Sequence, residues 1–280
     1  MIYQERPAPP GLESAISRVW YLEVARVRPF EKILPQPALH LIVNLSDPYS
    51  LFDRVGGSTP VGDAFFSGIQ SEYLVIASPP VIRQVVVEVR PGGLGAISML
   101  TGPDVARRVR PAKEVLRDDG SLVADIRTAA SPAQALELVC IALAQLAAGW
   151  SPDPVVEAVL SALEGEGNSI GDLVAALPVS HRTAIAHFRR ATGLAPRDYA
   201  QLWRFHRFIE GLAVMQGPSD WASLAPLGGY YDQAHVIRAF RRFSGWTPTE
   251  YRRRVAEFGP AAASFVPLDQ APTAAQPARS

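Results

Sequence analysis

Residues 188–199 read F-R-R-A-T-G-L-A-P-R-D-Y and residues 240–251 read F-R-R-F-S-G-W-T-P-T-E-Y. The shared pattern, F-R-R-x-[TS]-G-x-x-P-x-x-Y, recurs after 52 positions. Each copy describes a basic helix stopped by glycine in its C-cap region, a short turn, and a new helix opened by proline, whose missing N–H the first turn does not need. A period near 50 residues marks a supersecondary unit used twice.

Upstream of the first copy, Ile170, Leu173, Val174 and Leu177 recur at i, i+3, i+4 and i+7, which predicts a short amphipathic helix over 169–177 that Pro178 ends. Ser180 then offers an N-cap oxygen to a helix over 181–191, with Ala184, Ile185 and Phe188 as its apolar contacts. Upstream of the second copy, residues 219–225 with Trp221, Leu224 and Ala225 lead to the turn Gly228, Gly229, Tyr230, after which Asp232 caps a helix over 233–243. Pro226 falls late in the first of those helices and is expected to remove a backbone hydrogen bond or bend the last turn. Short helix, tight glycine-containing turn and arginine-rich helix make the helix-turn-helix that nucleic-acid-binding proteins lay in a major groove.

The run G-Y-Y-D-Q-A-H-V-I-R-A-F-R-R-F-S-G-W-T-P-T-E-Y-R over 229–252 resembles the signature of AraC/XylS-type transcriptional regulators, and residues 179–199 are similar to that family's first helix-turn-helix. The resemblance spans residues 155–256. It implies a sequence-specific regulator of transcription and no enzymatic activity. It also implies that Arg182, Ile185 and Ala186 in the first unit, and Gln233, His235 and Arg238 in the second, lie where side chains reach base edges. Their chemistry suits that role unevenly: Gln233 can pair bidentately with adenine and Arg182 or Arg238 with guanine, whereas Ile185 and Ala186 can touch only a thymine methyl. Ser180 at the cap, and Arg189, Arg190, Arg241 and Arg242 one to two turns deeper, fall to the DNA backbone. Phe240 reads as core.

Charge points the same way. The chain holds 27 basic and 27 acidic residues, yet residues 178–258 carry twelve arginines against six acids, so a net of plus six faces minus six elsewhere. Phosphate contacts supply much of the affinity of such modules, and the positive charge sits on the repeated helices. Between the copies, Tyr199, Leu202, Trp203, His206, Ile209 and Ala213 predict one connecting helix over about 196–214. About 18 residues of helix span roughly 27 Å, which with the flanking bodies suits recognition helices about 34 Å apart, one turn of DNA.

The N-terminal half has another texture. Short runs rich in β-branched and aromatic residues at 19–24, 39–45, 61–66, 73–77 and 81–90 are separated by Pro and Gly clusters, which predicts a small β-barrel or sandwich with Val85, Val87 and Val89 on one face. The fold class is therefore α+β: a β-rich N-terminal domain over 1–102, a helical linker over 103–152, an all-α domain with two helix-turn-helix units over 153–258, and a Pro- and Ala-rich tail over 259–280 expected to be disordered. In the family the resemblance names, the β-rich domain is often cupin-like and senses a small molecule or mediates dimerisation. The clearest linker helix, over 132–148, is apolar on more than one face, which fits burial between domains or against a partner helix.

A metal site needs several His and carboxylate ligands, and the first 180 residues hold one histidine, His40, in an apolar strand, so it reads as core. Cys140, the only cysteine, sits among Leu138, Val139, Ile141 and Leu143 and reads as a buried thiol. The competing reading is a DNA-targeted enzyme, such as an alkyl-transfer protein with Cys140 as acceptor. No catalytic group, metal or cofactor is expected. Double-stranded DNA is the expected partner. A small-molecule effector and a second copy of the chain are candidates, and RNA polymerase joins them if the protein activates. With no basic-plus-apolar leader and no apolar run near 18 residues, the expectation is a soluble cytoplasmic protein without a membrane partner.

Overall fold

The computed structural model describes residues 1–53, 57–118, 120–165, 179–214, 230 and 232–271. Its strands are β1 (Ile2–Pro7), β2 (Ile16–Ala25), β3 (Phe30–Ile33), β4 (Leu39–Asn44), β5 (Ser50–Phe52), β6 (Ser58–Pro60), β7 (Ala64–Ser67), β8 (Leu74–Ala77), β9 (Val81–Val89), β10 (Val109–Pro111) and β11 (Phe265–Leu268). They form two antiparallel sheets, ordered β1-β2-β9-β4-β7-β10 and β11-β3-β8-β5-β6. The sheets stay open, as in a sandwich, and do not close into one barrel. Among the described residues, the elements between Pro154 and Phe258 are all helices, so the class is α+β.

Register explains the core. Val19 and Tyr21 of β2 lie opposite Val87 and Val85 of β9, and Leu41 and Val43 of β4 face the same two valines from the other side. With Leu39 and Val89 they make one face on which every side chain is at most 5% exposed. Side chains alternate across a strand, so the even positions Arg18, Trp20, His40, Gln84 and Glu88 share the opposite, more polar face. There the Tyr49 hydroxyl donates to Gln84 Oε1 at 3.1 Å.

Three expectations need correction. Residues 103–152 are not a separate linker: β10 completes the six-stranded sheet, and helix Pro132–Leu146 lays Leu136, Val139 and Leu143 into the same core against β2. That helix is therefore covered on its apolar side by its own domain. The run at 61–66 breaks, because β6 ends at Pro60 and β7 begins at Ala64 in the other sheet. Nor is the tail disordered throughout, since β11 pairs with β3 in the register Val266 to Lys32, and Val266 is fully buried. Buried area and a backbone ladder hold this segment, whatever its Pro and Ala content. Residues 272–280 lie outside the described residues, as do the expected first helices at 169–177 and 219–225, with Pro226 and the turn glycines.

The two halves meet backbone to backbone. A Cβ on Gly102, at the start of the short helix Gly102–Val105, would fall 2.1 Å from Gly193 N, so this approach exists only because both residues are glycine. Lys32 of β3 reaches the other unit: its ammonium donates to the Ser244 carbonyl at 2.9 Å and lies 3.8 Å from the ring centroids of both Tyr73 and Trp246. Burial, with Arg254 adding to it, lowers this ammonium to about 8.

Candidate nucleic-acid interface

The repeated dodecapeptide builds the same joint twice. In the first unit Ser180 Oγ accepts the Thr183 N–H at 3.1 Å and opens helix His181–Thr192, and Gly193 at φ 75° closes it. In the second, Asp232 Oδ1 accepts the His235 N–H at 2.6 Å and opens helix Gln233–Ser244, and Gly245 at φ 73° closes it. Left-handed backbone at both C-caps is the reason glycine recurs.

Each remaining letter of the motif also has a structural counterpart. The Thr192 hydroxyl donates to Phe188 O at 2.9 Å and accepts the Leu194 N–H at 3.1 Å, and Ser244 repeats this with Phe240 O at 2.7 Å and the Trp246 N–H at 3.1 Å. Pro196 and Pro248 open the next helices, which carry Tyr199 and Tyr251 back onto the phenylalanines. The Phe188–Tyr199 ring centroids are 5.6 Å apart and those of Phe240 and Tyr251 5.7 Å, both edge to face, with all four side chains fully buried. Phe240 is thus core, as expected.

Helix Pro196–Val214 joins the two units, packing Phe205 and Phe208 on Phe240 at 5.1 and 5.6 Å. Its other side meets the β domain. The Tyr199 hydroxyl, which donates to Glu164 at 2.6 Å, also lies 3.5 Å from the Pro37 carbonyl of the β domain, and His206 lies near His40, whose imidazole burial drives down to about 4, with Glu88 opposing and Arg18 and His206 adding to the shift. His40 is thus a neutral histidine inside the molecule, 4.0 Å from Glu88.

Of the expected base-reading residues, Arg182, Ala186, Gln233 and Arg238 are exposed and Ile185 is half-buried. His235 is also half-buried, its ring edge-on to Tyr230 at 5.1 Å. Among the expected backbone-facing residues, Ser180, Arg189, Arg190, Arg241 and Arg242 are all exposed. Arg242 is already engaged, donating to Gln201 Oε1 and lying 3.8 Å from Asp198. His187, which carried no assignment, bonds Asp153, the N-cap of helix Pro154–Glu164, at 2.7 Å.

The arginines divide by how they are used. In the β domain Arg18 pairs with Glu88 at 3.0 Å, Arg28 with Asp269 at 2.8 Å, Arg110 with Glu114 at 3.0 Å and Arg127 with Asp63 at 3.4 Å. On helices His181–Thr192 and Gln233–Ser244, Arg182, Arg189, Arg190, Arg238 and Arg241 make no ion pair among the described residues. Arg204 on the connecting helix behaves likewise, and it lines one cleft with Gln201, Tyr230, His235, Arg238 and Arg242. Sequence reading missed Arg204 and Gln201 because the connecting helix was read as a spacer; an arginine on the outward side of its apolar stripe was the available signal.

No three His, Cys, Asp or Glu side chains converge to hold a metal among the described residues, and no helix there is long and apolar enough to cross a membrane. Cys140 is half-buried and its thiol is pushed up by burial, away from the thiolate that an alkyl acceptor requires.

Comparison with known proteins divides the chain as the structure does. A family model described as a helix-turn-helix domain matches residues 173–254, and one described as a domain of unknown function (DUF6597) matches residues 4–106. AraC-like transcription regulators of Streptomyces antibioticus and Streptomyces lividans are 29% and 30% identical over 111 residues, 38% of this chain. That stretch spans 36% of each relative's length. ToxT from Vibrio cholerae aligns over 90% of this chain and 98% of its own, with a TM-score of 0.46 and 9% identity, too slight a likeness to transfer anything.

Proposed function

We propose that this chain, of AraC type through its helix-turn-helix region, is a sequence-specific DNA-binding transcriptional regulator that reads two successive major grooves with helices His181–Thr192 and Gln233–Ser244. The observation that carries the reading is the duplicated joint: two helices, each opened by a side-chain N-cap and closed by a left-handed glycine, each with exposed arginines that make no ion pair among the described residues, packed on one connecting helix. Nineteen residues of helix give about 28 Å, which with the helix bodies approaches the 34 Å between successive grooves. Arg182, Gln233 and Arg238 supply polar base contacts, Ile185 and Ala186 thymine-methyl contacts, and His235 a contact constrained by its packing on Tyr230. Ser180, Arg189, Arg190 and Arg241 meet phosphates, and Arg242 orders the connecting helix besides.

The β domain, docked on both recognition helices, is the place for a small-molecule effector to act. The polar sheet face of Arg18, Trp20, His40 and Glu88 beside the connecting helix supports that assignment. A homodimer, contact with RNA polymerase if the protein activates, and a cytoplasmic location complete the reading. Selection of sequences from a randomised duplex library by the full-length protein, near physiological salt, tests it. Two enriched blocks about 10 base pairs apart are expected. A single block would confine base reading to one unit, and no enrichment with salt-labile binding would refute sequence-specific recognition.

A further inference from the structure

The cleft between the second recognition helix and the connecting helix is built from donors. Arg204 and Arg238 bring guanidinium groups with no ion pair among the described residues, and His235 stands beside them. Tyr230 lies at its wall, 6% exposed, edge-on to Phe208 and His235, and its hydroxyl is buried with no hydrogen-bond partner among the described residues. Burial pushes that hydroxyl up, against the pull of Arg204, so it remains an O–H donor. Ala239 and Phe243 supply an apolar floor, and Arg242, held by Gln201 and Asp198, forms the far side.

Two guanidinium groups without an ion pair among the described residues, beside a buried O–H donor, suit an acceptor that is itself anionic, and a buried donor left unmatched is costly. The cavity measures about 160 Å³. That is the liquid volume of about five waters, room for one phosphate group, and well below the roughly 300 Å³ at which pockets for drug-sized ligands begin. We propose that this cleft is a phosphate site in which Arg204 and Tyr230 seat a backbone phosphate of the DNA beside the groove that Arg238 reads. The assignment rests on the DNA-binding reading above. It favours a DNA phosphate over a free one because Arg238 belongs both to the cleft and to the exposed face of the recognition helix, so a strand that meets Arg238 passes over Arg204.

The test uses the full-length protein, its Arg204→Ala and Tyr230→Phe variants, the duplex enriched by selection and a scrambled duplex of the same composition. Affinities are measured across a salt series, with folding checked by circular dichroism. Arg204→Ala is expected to weaken both duplexes by one common factor and to flatten the dependence of log K on log salt by about one unit, the signature of one lost phosphate contact. Tyr230→Phe, which removes the donor without charge, is expected to weaken both duplexes with the slope unchanged. An unaltered slope in Arg204→Ala, or a loss confined to the selected duplex, overturns the proposal. So does a saturable rise in thermal stability with inorganic phosphate that Arg204→Ala abolishes while DNA binding is unchanged, which would give the cleft to a free anion. Failure of the DNA-binding reading would appear instead in the unmodified protein, as absence of any binding.

Discussion

Replacing Gly102 by alanine should separate the two halves of the molecule. The added Cβ would lie 2.1 Å from Gly193 N, 2.5 Å from Thr192 C and 2.7 Å from Thr192 N, whereas ordinary contact begins at 3.4 Å. All three obstacles are main chain, so no rotamer relieves them, and Gly193 is fixed by its left-handed cap. The short helix and helix His181–Thr192 must therefore part by about 1.3 Å, the shortfall on the closest contact. Overpacking costs about 1–3 kcal/mol, and a collision with rigid backbone belongs at about 3. With a urea slope of about 3 kcal/mol per M for a chain of this size, the unfolding midpoint should fall by about 1 M. Gly62→Ala is the control, since nothing lies within 4 Å of its new Cβ. A midpoint for Gly102→Ala within about 0.2 M of the parent, the reach of an ordinary surface change, would refute the docking.

Arg238→Ala should cost about 1–3 kcal/mol on the selected duplex and little on a scrambled one, whereas Arg241→Ala should weaken both alike; equal losses in both variants, read by fluorescence anisotropy, would remove Arg238 from base reading. His40 sits at about 4 in the fold and near 6.5 when unfolded, so the unfolded chain binds the extra proton and stability is lost as pH falls through that window, by about 3 kcal/mol in all. Urea titrations from pH 7 to 4 should show this loss in the parent and not in His40→Gln. Lys32, lowered to about 8 against an ordinary value near 10.5, has the same sign: the parent should gain up to about 3 kcal/mol over Lys32→Met between pH 8 and 10.5, and parallel stability profiles would contradict a buried ammonium.

The parts legible in sequence were those whose causes are local. Gly193 and Gly245 announced left-handed caps, Thr192 and Ser244 occupied the one position whose hydroxyl serves both sides of the turn, and helix bounds fell within a residue of expectation. β2, β4 and β9 were legible for the same reason, because their alternation is written in consecutive residues. What stayed hidden depends on distant partners. β3 reads F-E-K-I, a poor strand, and it forms because β8 and β11 flank it, while Lys32 is tolerated because Ser244, Tyr73 and Trp246 receive it. The Gly102–Gly193 contact and the Arg204 cleft likewise join residues that no periodicity connects.

The position of β11 bears on how the protein is made. Its partner β3 ends at Ile33, yet Phe265 leaves the ribosome 232 residues later. Until then the β3 edge of that sheet presents unpaired N–H and C=O groups to whatever strand is near. The β domain is thus sealed from behind by the segment that follows the DNA-binding module, and a nascent chain stalled inside that module carries an open, aggregation-prone edge. Folding of the β domain therefore waits on residues synthesised after the helical module.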